Sequence, residues 1–398
     1  MVELNELIGS YEQGMVDTIS KMIAIKAISP ASGGEGEGKR ADFLQSILES
    51  WGFKTDRYDY KDEHGVGRPN LVVKFGNKDR TIWVVSHMDT VSEGDLSLWK
   101  TDPFKATITD GMIYGRGTID DGQPLVSSMY ALKALKESRS NMKYNFGLVF
   151  VADEELGSKY GIQKLLGENI FGKEDMFFVP DSSTVDGKAI EVAEKSSLWL
   201  KITFIGRQVH ASTPDMGVNA YRYSIRFLNK VDELLHSKYT KSNGMFNTPK
   251  STFEMTKHEK NIDSTNIVPG KEVSYLDCRI LPDYRIDDVM NDIEAVAKSP
   301  EFSPVQIQFE QIQKEEATKP TSENSEVVVL LKGVLKSQRG IDAIPIGIGG
   351  GTCAAFFRRK GFDSVVWFTG EDIAHQPNEF LRIKDMVDDA KVFAGLFV

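Results

Sequence analysis

Histidines and carboxylates close several apolar runs of this 398-residue sequence, and their types suggest metal-assisted hydrolysis. "VVSHMDT" ends one run with His87 and Asp89, two apart and so pointing the same way along an extended chain. "YGRGTIDDGQP" brings Asp120 and Asp121 after a glycine-flanked turn, and "VADEELG" brings Asp153, Glu154 and Glu155 straight after an apolar stretch. "FFVPDSST" adds Asp181, and "EDIAHQPNE" adds His375 after the last run. Each motif alone has an ordinary explanation: a strand-end His–Asp hydrogen bond, a solvated turn, a helix cap or a surface histidine. Together they would deliver carboxylates and imidazoles to one rim. Carboxylates so confined cannot all stay ionised unless cations offset them. Oxygen and imidazole donors without thiolates suit zinc, cobalt or manganese, and two metals sharing a carboxylate form a hydrolytic arrangement.

The elements that must position these residues follow from the patterning. "LVVKF" (71–75), "TIWVVSH" (81–87), "FGLVFVA" (146–152) and "MFFVP" (176–180) are continuous apolar runs, as expected of strands buried on both faces of a mostly parallel sheet. Ligands of such sheets collect beyond the carboxyl ends of the strands. Leu44, Ile47, Leu48 and Trp51 mark one amphipathic helix, and Leu125, Met129 and Leu132 another. Near residue 193 the style changes. "SLWLKITFI" and "KEVSYLDCRI" alternate, the second placing Asp277 and Arg279 on one face, and "VQIQFEQI" alternates near 305. With a helix through Tyr221, Ile225, Leu228, Val231 and Leu235, this reads as an α+β layer over 193–313, inserted into a larger α/β domain formed by 1–192 and 314–398. "SVVWFT" (364–369) resumes the buried style, "FLRIKDMVDDAKVFAGLFV" reads as a closing helix, and "SGGEGEGKR" (32–40) as a flexible loop.

Composition bounds the partners. With 58 acidic and 48 basic side chains the net charge is -10, which argues against nucleic-acid or anionic-membrane partners. Cys278 and Cys353 form no disulfide framework or CxxC pattern, and "MVELNELIGSYEQG" lacks the pattern of a secretory leader, so the expected location is the cytoplasm.

In order along the chain, "SHMDTV", the W-x-x-DPF of Trp99 to Phe104, "DGMIYGRGTIDD", "ADEELGS", "PDSS", "RQVHASTPDMGVNA", "STNIVPG" followed by "LDCR", "GIGGGT" and "AHQPNE" resemble a metallopeptidase and deacylase family. Its members include aminoacylase, acetylornithine deacetylase, succinyl-diaminopimelate desuccinylase, carnosinase and the bacterial dipeptidases. The resemblance implies a phosphorylase/hydrolase-like α/β catalytic domain with an inserted lid through which many members dimerise. It implies two divalent ions, zinc foremost with cobalt or manganese possible: His87 and Asp181 on one, Glu155 and His375 on the other, Asp120 bridging. Asp89 would orient the His87 ring, and Glu154 would be the general base that takes a proton from the water and delivers it to the leaving nitrogen. A cis peptide bond is implied between Asp120 and Asp121. His210 would polarise the scissile carbonyl, often from the partner subunit, with Asn266 near it.

Arg279 would bind a substrate carboxylate, or else pair with a sheet acid. Gly350, Gly351 and Thr352 would offer amides at a helix start to the same carboxylate, or serve only a tight turn. His64, His236 and His258 read as surface residues, and Asp153 as a loop hydrogen-bonding group. The sequence departs from the family at Asp121-Gly122-Gln123-Pro124, where many members have Asp-x-Lys-Gly. Asp181 matches the family's dipeptidases and tripeptidases, whereas its deacetylases and desuccinylases usually have Glu. The implied substrate is therefore a small peptide or N-acyl amino acid with a free carboxylate, with deacylation as the alternative to dipeptide hydrolysis.

Overall fold

The computed structural model describes residues 2–398, which divide into two compact units. The first comprises residues 2–192, 321–345 and 352–398; the second comprises 193–320 and 346–351. Residues 314–320 and the glycine stretch 346–351 thus group with the second unit.

The main sheet of the first unit runs in the order Asp56–Lys61, Gly67–Phe75, Asn145–Val151, Thr81–His87, Met176–Phe178, Ser364–Val365. Its last three pairings are parallel and its first two antiparallel, because Gly67–Phe75 lies against Asn145–Val151 in the opposite sense. The central strands bury both faces. Ile82 and Val84 join a core with the helices Glu12–Ile23, Gly122–Glu137 and Ile383–Gly395, while Trp83 and Val85 join a second core that includes Ile162, Leu165 and Phe357. This is why the strands read as continuous apolar runs instead of alternating ones. Since Thr81–His87 and Asn145–Val151 are parallel, with His87 opposite Val151, the loops that follow them leave from the same rim.

Two expectations change. "SVVWFT" is not one strand: Ser364–Val365 joins the main sheet, and Phe368–Thr369 pairs separately with Ser183–Thr184. The segment 32–40 is not simply a flexible loop. The helix Gly38–Ser50 begins within it, and both Glu37 and Arg40 are buried. Composition alone suggested mobility, but Arg40 donates to the carbonyls of Met88 at 2.7 Å and Ile25 at 2.8 Å, and Glu37 pairs with Arg68, so the segment is tied down.

The second unit carries an antiparallel sheet in the order Thr252–His258, Lys271–Ile280, Ser196–Ile205, Gln306–Glu315. Leu198, Leu200, Ile202 and Phe204 alternate inward and pack with the helices Ala220–Lys238 and Ile286–Ala297. Each such side chain contributes roughly 1.5–3 kcal/mol when fully buried. One apolar face and one polar face on each strand produce the alternation seen in the sequence.

Candidate active site

His87 is the last residue of its strand, and its ring is buried. Its Nδ1 lies 3.0 Å from the backbone carbonyl of Asp89. A carbonyl can only accept, so Nδ1 carries a hydrogen and Nε2 is the atom turned toward the acids. Nε2 faces Asp120 Oδ1 at 2.8 Å and Asp181 Oδ1 at 3.7 Å. On the other side of Asp120, His375 Nε2 lies 3.1 Å from its Oδ2 and 2.9 Å from Glu155 Oε2. The result is two donor groups, His87–Asp120–Asp181 and Asp120–Glu155–His375, each with ligand atoms within 4.8 Å of one another. Asp120 belongs to both. The Asp120–Asp121 peptide bond is cis.

The loops are held by buried acids. Asp89 accepts the amides of Glu154 at 3.0 Å and Glu155 at 3.1 Å, and its carboxylate lies 3.5 Å from His87 Nδ1. It therefore caps the turn Glu154–Leu156 as well as facing the ring. Gly157 ends that turn at φ 94°, a conformation glycine adopts without strain. Glu379 accepts the amides of Gly117 at 3.1 Å, Ile119 at 2.9 Å and Asp120 at 3.3 Å, and pairs with Arg116 at 2.7 Å. Arg116 also donates to the carbonyls of His375 and Gln376. One buried pair thus fastens the loops of both Asp120 and His375. Reading by motif missed this role, although "YGRG" and "AHQPNE" contain both residues.

Asp89, Asp120, Asp121, Glu154, Glu155 and Asp181 crowd around two imidazoles. Burial, then the Asp181 charge, pushes Glu154 well above the usual carboxylate range, and burial with Asp120 pushes Glu155 up to about 7. Burial likewise raises Asp121 and Asp181. Asp120 goes the other way: burial opposes it, but hydrogen bonds from His375 and His87 hold it low. Hydrogen bonds to Asp120 and Glu155 raise His375 to about 10. His87 rises against the effect of burial through Asp120, Asp181 and Asp89. The cluster carries more negative charge than its imidazoles offset. With oxygen and imidazole donors and no thiolate in either group, it fits divalent zinc, cobalt or manganese.

A model of the peptidase family M20/M25/M40 matches residues 83–398. The chain belongs to that family. It is a metallohydrolase. An uncharacterized metallohydrolase of Methanocaldococcus jannaschii is 40% identical over 94% of this chain and 96% of its own length. The succinyl-diaminopimelate desuccinylase of Rickettsia canadensis is 27% identical over 66% of this chain and 67% of its own. Human carnosine dipeptidase 1 shares the fold, with a TM-score of 0.79, 15% identity and coverage of 99% of this chain and 97% of that one. The α/β class with a mostly parallel sheet is the fold of this M20 family.

In the second unit, His210 and Asn266 are neighbours. His210 pairs with Ile267 in a short ladder, and the Ala211 amide donates to the Asn266 carbonyl at 2.8 Å. The Ser212 amide donates to His210 Nδ1 at 3.1 Å, so the ring hydrogen sits on the exposed Nε2. Arg279 forms a two-pronged pair with Asp277, at 2.7 and 2.9 Å, and donates to the Gly349 carbonyl at 3.3 Å. Gly350 and Gly351 lie upstream of a helix that begins only at Ala354, so their amides are not in its first turn; Thr352 Oγ1 accepts the Ala354 amide. His64, His236 and His258 are exposed.

Proposed function

We propose that this metallohydrolase cleaves the amide bond of a small peptide or N-acyl amino acid that carries a free carboxylate. The observation that carries this reading is the pair of donor groups sharing Asp120, with Glu154 on the same turn as Glu155. His87 and Asp181 would hold one divalent ion and Glu155 and His375 the other, with Asp120 between them; the ions, zinc by preference, supply Lewis acidity to the carbonyl and acidify water. Glu154 takes the proton of the attacking water and returns it to the leaving nitrogen. Asp89 keeps the His87 ring and the Glu154 turn in register. His210, with its hydrogen on Nε2, donates to the developing oxyanion. Arg279, with Asn266 and the loop amides of Gly350, Gly351 and Thr352, receives the substrate carboxylate.

Asp181 favours dipeptides with a free amine, while the desuccinylase relative supports N-acyl substrates. Turnover of a panel of dipeptides, N-acetyl and N-succinyl amino acids with zinc, cobalt or manganese separates the two. Dipeptide hydrolysis at the highest kcat/KM is expected, and a preference for an N-acyl amino acid would move the assignment to a deacylase. No turnover of any member would count against the reading as a whole.

A homodimer through the second unit is part of this proposal. Thr252–His258 is an edge strand, and Met255, Tyr221 and Ile225 are exposed apolar side chains on that strand and on the helix Ala220–Lys238. An open edge of this kind invites pairing with another strand. His210→Ala should lower kcat by about 10²- to 10³-fold. If His210 acts across the dimer, mixing His210→Ala with Glu154→Gln protein should regenerate activity. Failure after verified subunit exchange would confine the site to one chain. The cytoplasm is the proposed location, in keeping with two buried, unpaired cysteines. The net charge of -10 argues against nucleic-acid or anionic-membrane partners, and among the described residues no helix is long and apolar enough to cross a membrane.

A further inference from the structure

The Glu154 carboxylate has no side-chain hydrogen-bond partner among the described residues, although Glu155 beside it accepts from Val91 and meets His375. Its direction is therefore set by its backbone. Four consecutive amides there each donate to a buried side chain: Ala152 to Asn70 at 3.1 Å, Asp153 to Glu37 at 3.3 Å, and Glu154 and Glu155 to Asp89. Asp153 stands in the left-handed region at φ 65°. Its carboxylate accepts the Tyr160 amide at 3.0 Å and pairs with Arg68 at 3.2 Å. Arg68 in turn grips Glu37 through both Nε, at 2.8 Å, and Nη2. Arg68 is 2% exposed and Glu37 0%.

A buried ion pair is weak evidence for stability, because its desolvation cost rivals its attraction, so what it holds matters more. Here it holds Asp153, and neither member belongs to the donor groups around Asp120. We propose that Glu37 and Arg68 are positioning residues that fix the left-handed backbone at Asp153 and thereby aim the Glu154 carboxylate. The proposal rests on Glu154 being the general base. It assigns the first acid of "VADEELG" to the support of the second.

The test uses full-length, metal-loaded protein, assayed with the panel member turned over fastest. Glu37→Leu/Arg68→Met replaces the pair by apolar side chains, Asp153→Asn keeps both an acceptor and tolerance of the left-handed region, and Asp153→Ala keeps neither. In the pair variant kcat should fall by about 10- to 100-fold, with KM little changed and metal content that of the parent. Hydrogen exchange of a peptide spanning 152–157 should be faster, while 176–184 exchanges as in the parent. Asp153→Asn should retain most of the kcat that Asp153→Ala loses, and these two carry the test if the pair variant does not fold.

Parental kcat and exchange in a folded pair variant would overturn the proposal, as would a kcat loss matched by an equal loss of metal. Equal losses in the two Asp153 variants would overturn it as well. Glu154→Gln separates the two claims: if it is inactive while the pair variant is fully active, only the positioning role falls, whereas an active Glu154→Gln removes the base itself.

Discussion

Glu154→Gln protein is expected to retain both metal ions yet turn over about 10²- to 10⁴-fold more slowly than the parent, the usual range for a lost general base. The amide of glutamine fills the same space and has no basic oxygen to accept the water's proton. The structure gives a reason to expect a clean separation of chemistry from binding. Glu154 belongs to neither donor group, and its own backbone amide, which donates to Asp89, is unchanged by the substitution. Metal analysis together with kcat and KM checks this. Turnover at the parental rate would assign the proton transfer elsewhere, and a protein stripped of metal would make Glu154 a ligand.

His87, Glu155 and Asp181 were legible in the sequence because each sits at or just after the end of an apolar run, a local pattern that needs no knowledge of partners. His87 ends its strand, and Glu155 and Asp181 each follow one closely. What holds them was not legible in the same way. Glu37 and Arg68 are 31 residues apart, and Arg116 and Glu379 are 263 apart, so each pair exists only once the chain has folded. Glu37 lies in a glycine-rich stretch whose composition suggests mobility, and burial reverses that meaning. Asp89 shows a subtler shortfall. Its spacing placed it on the same side as His87 and the family resemblance implied an orienting role, but the two amides it accepts come from a turn far along the chain. The antiparallel placement of Gly67–Phe75 was also hidden, since an apolar run looks alike in either direction.

Asp120→Ala should empty both metal positions at once, whereas His87→Ala and His375→Ala should each deplete chiefly one. Asp120 is the only residue common to the two donor groups, so its removal takes a ligand from each ion and leaves the remaining acids closer to uncompensated repulsion. Metal analysis after dialysis distinguishes these patterns, and a single ion lost from Asp120→Ala would rule out the bridge. The same donors make loading depend on pH. Without metal, Glu155 titrates at about 7 and His375 at about 10, so at neutral pH protons occupy positions that an ion needs. Loading must release them. Because the metal-bound chain holds fewer protons than the free one, affinity should rise with pH, by about tenfold per unit for each proton displaced. Calorimetric titration with zinc from pH 6 to 8, in buffers of different ionisation enthalpy, reads both the affinity and the proton count. An affinity independent of pH with no proton release would mean that the ions are held by other groups.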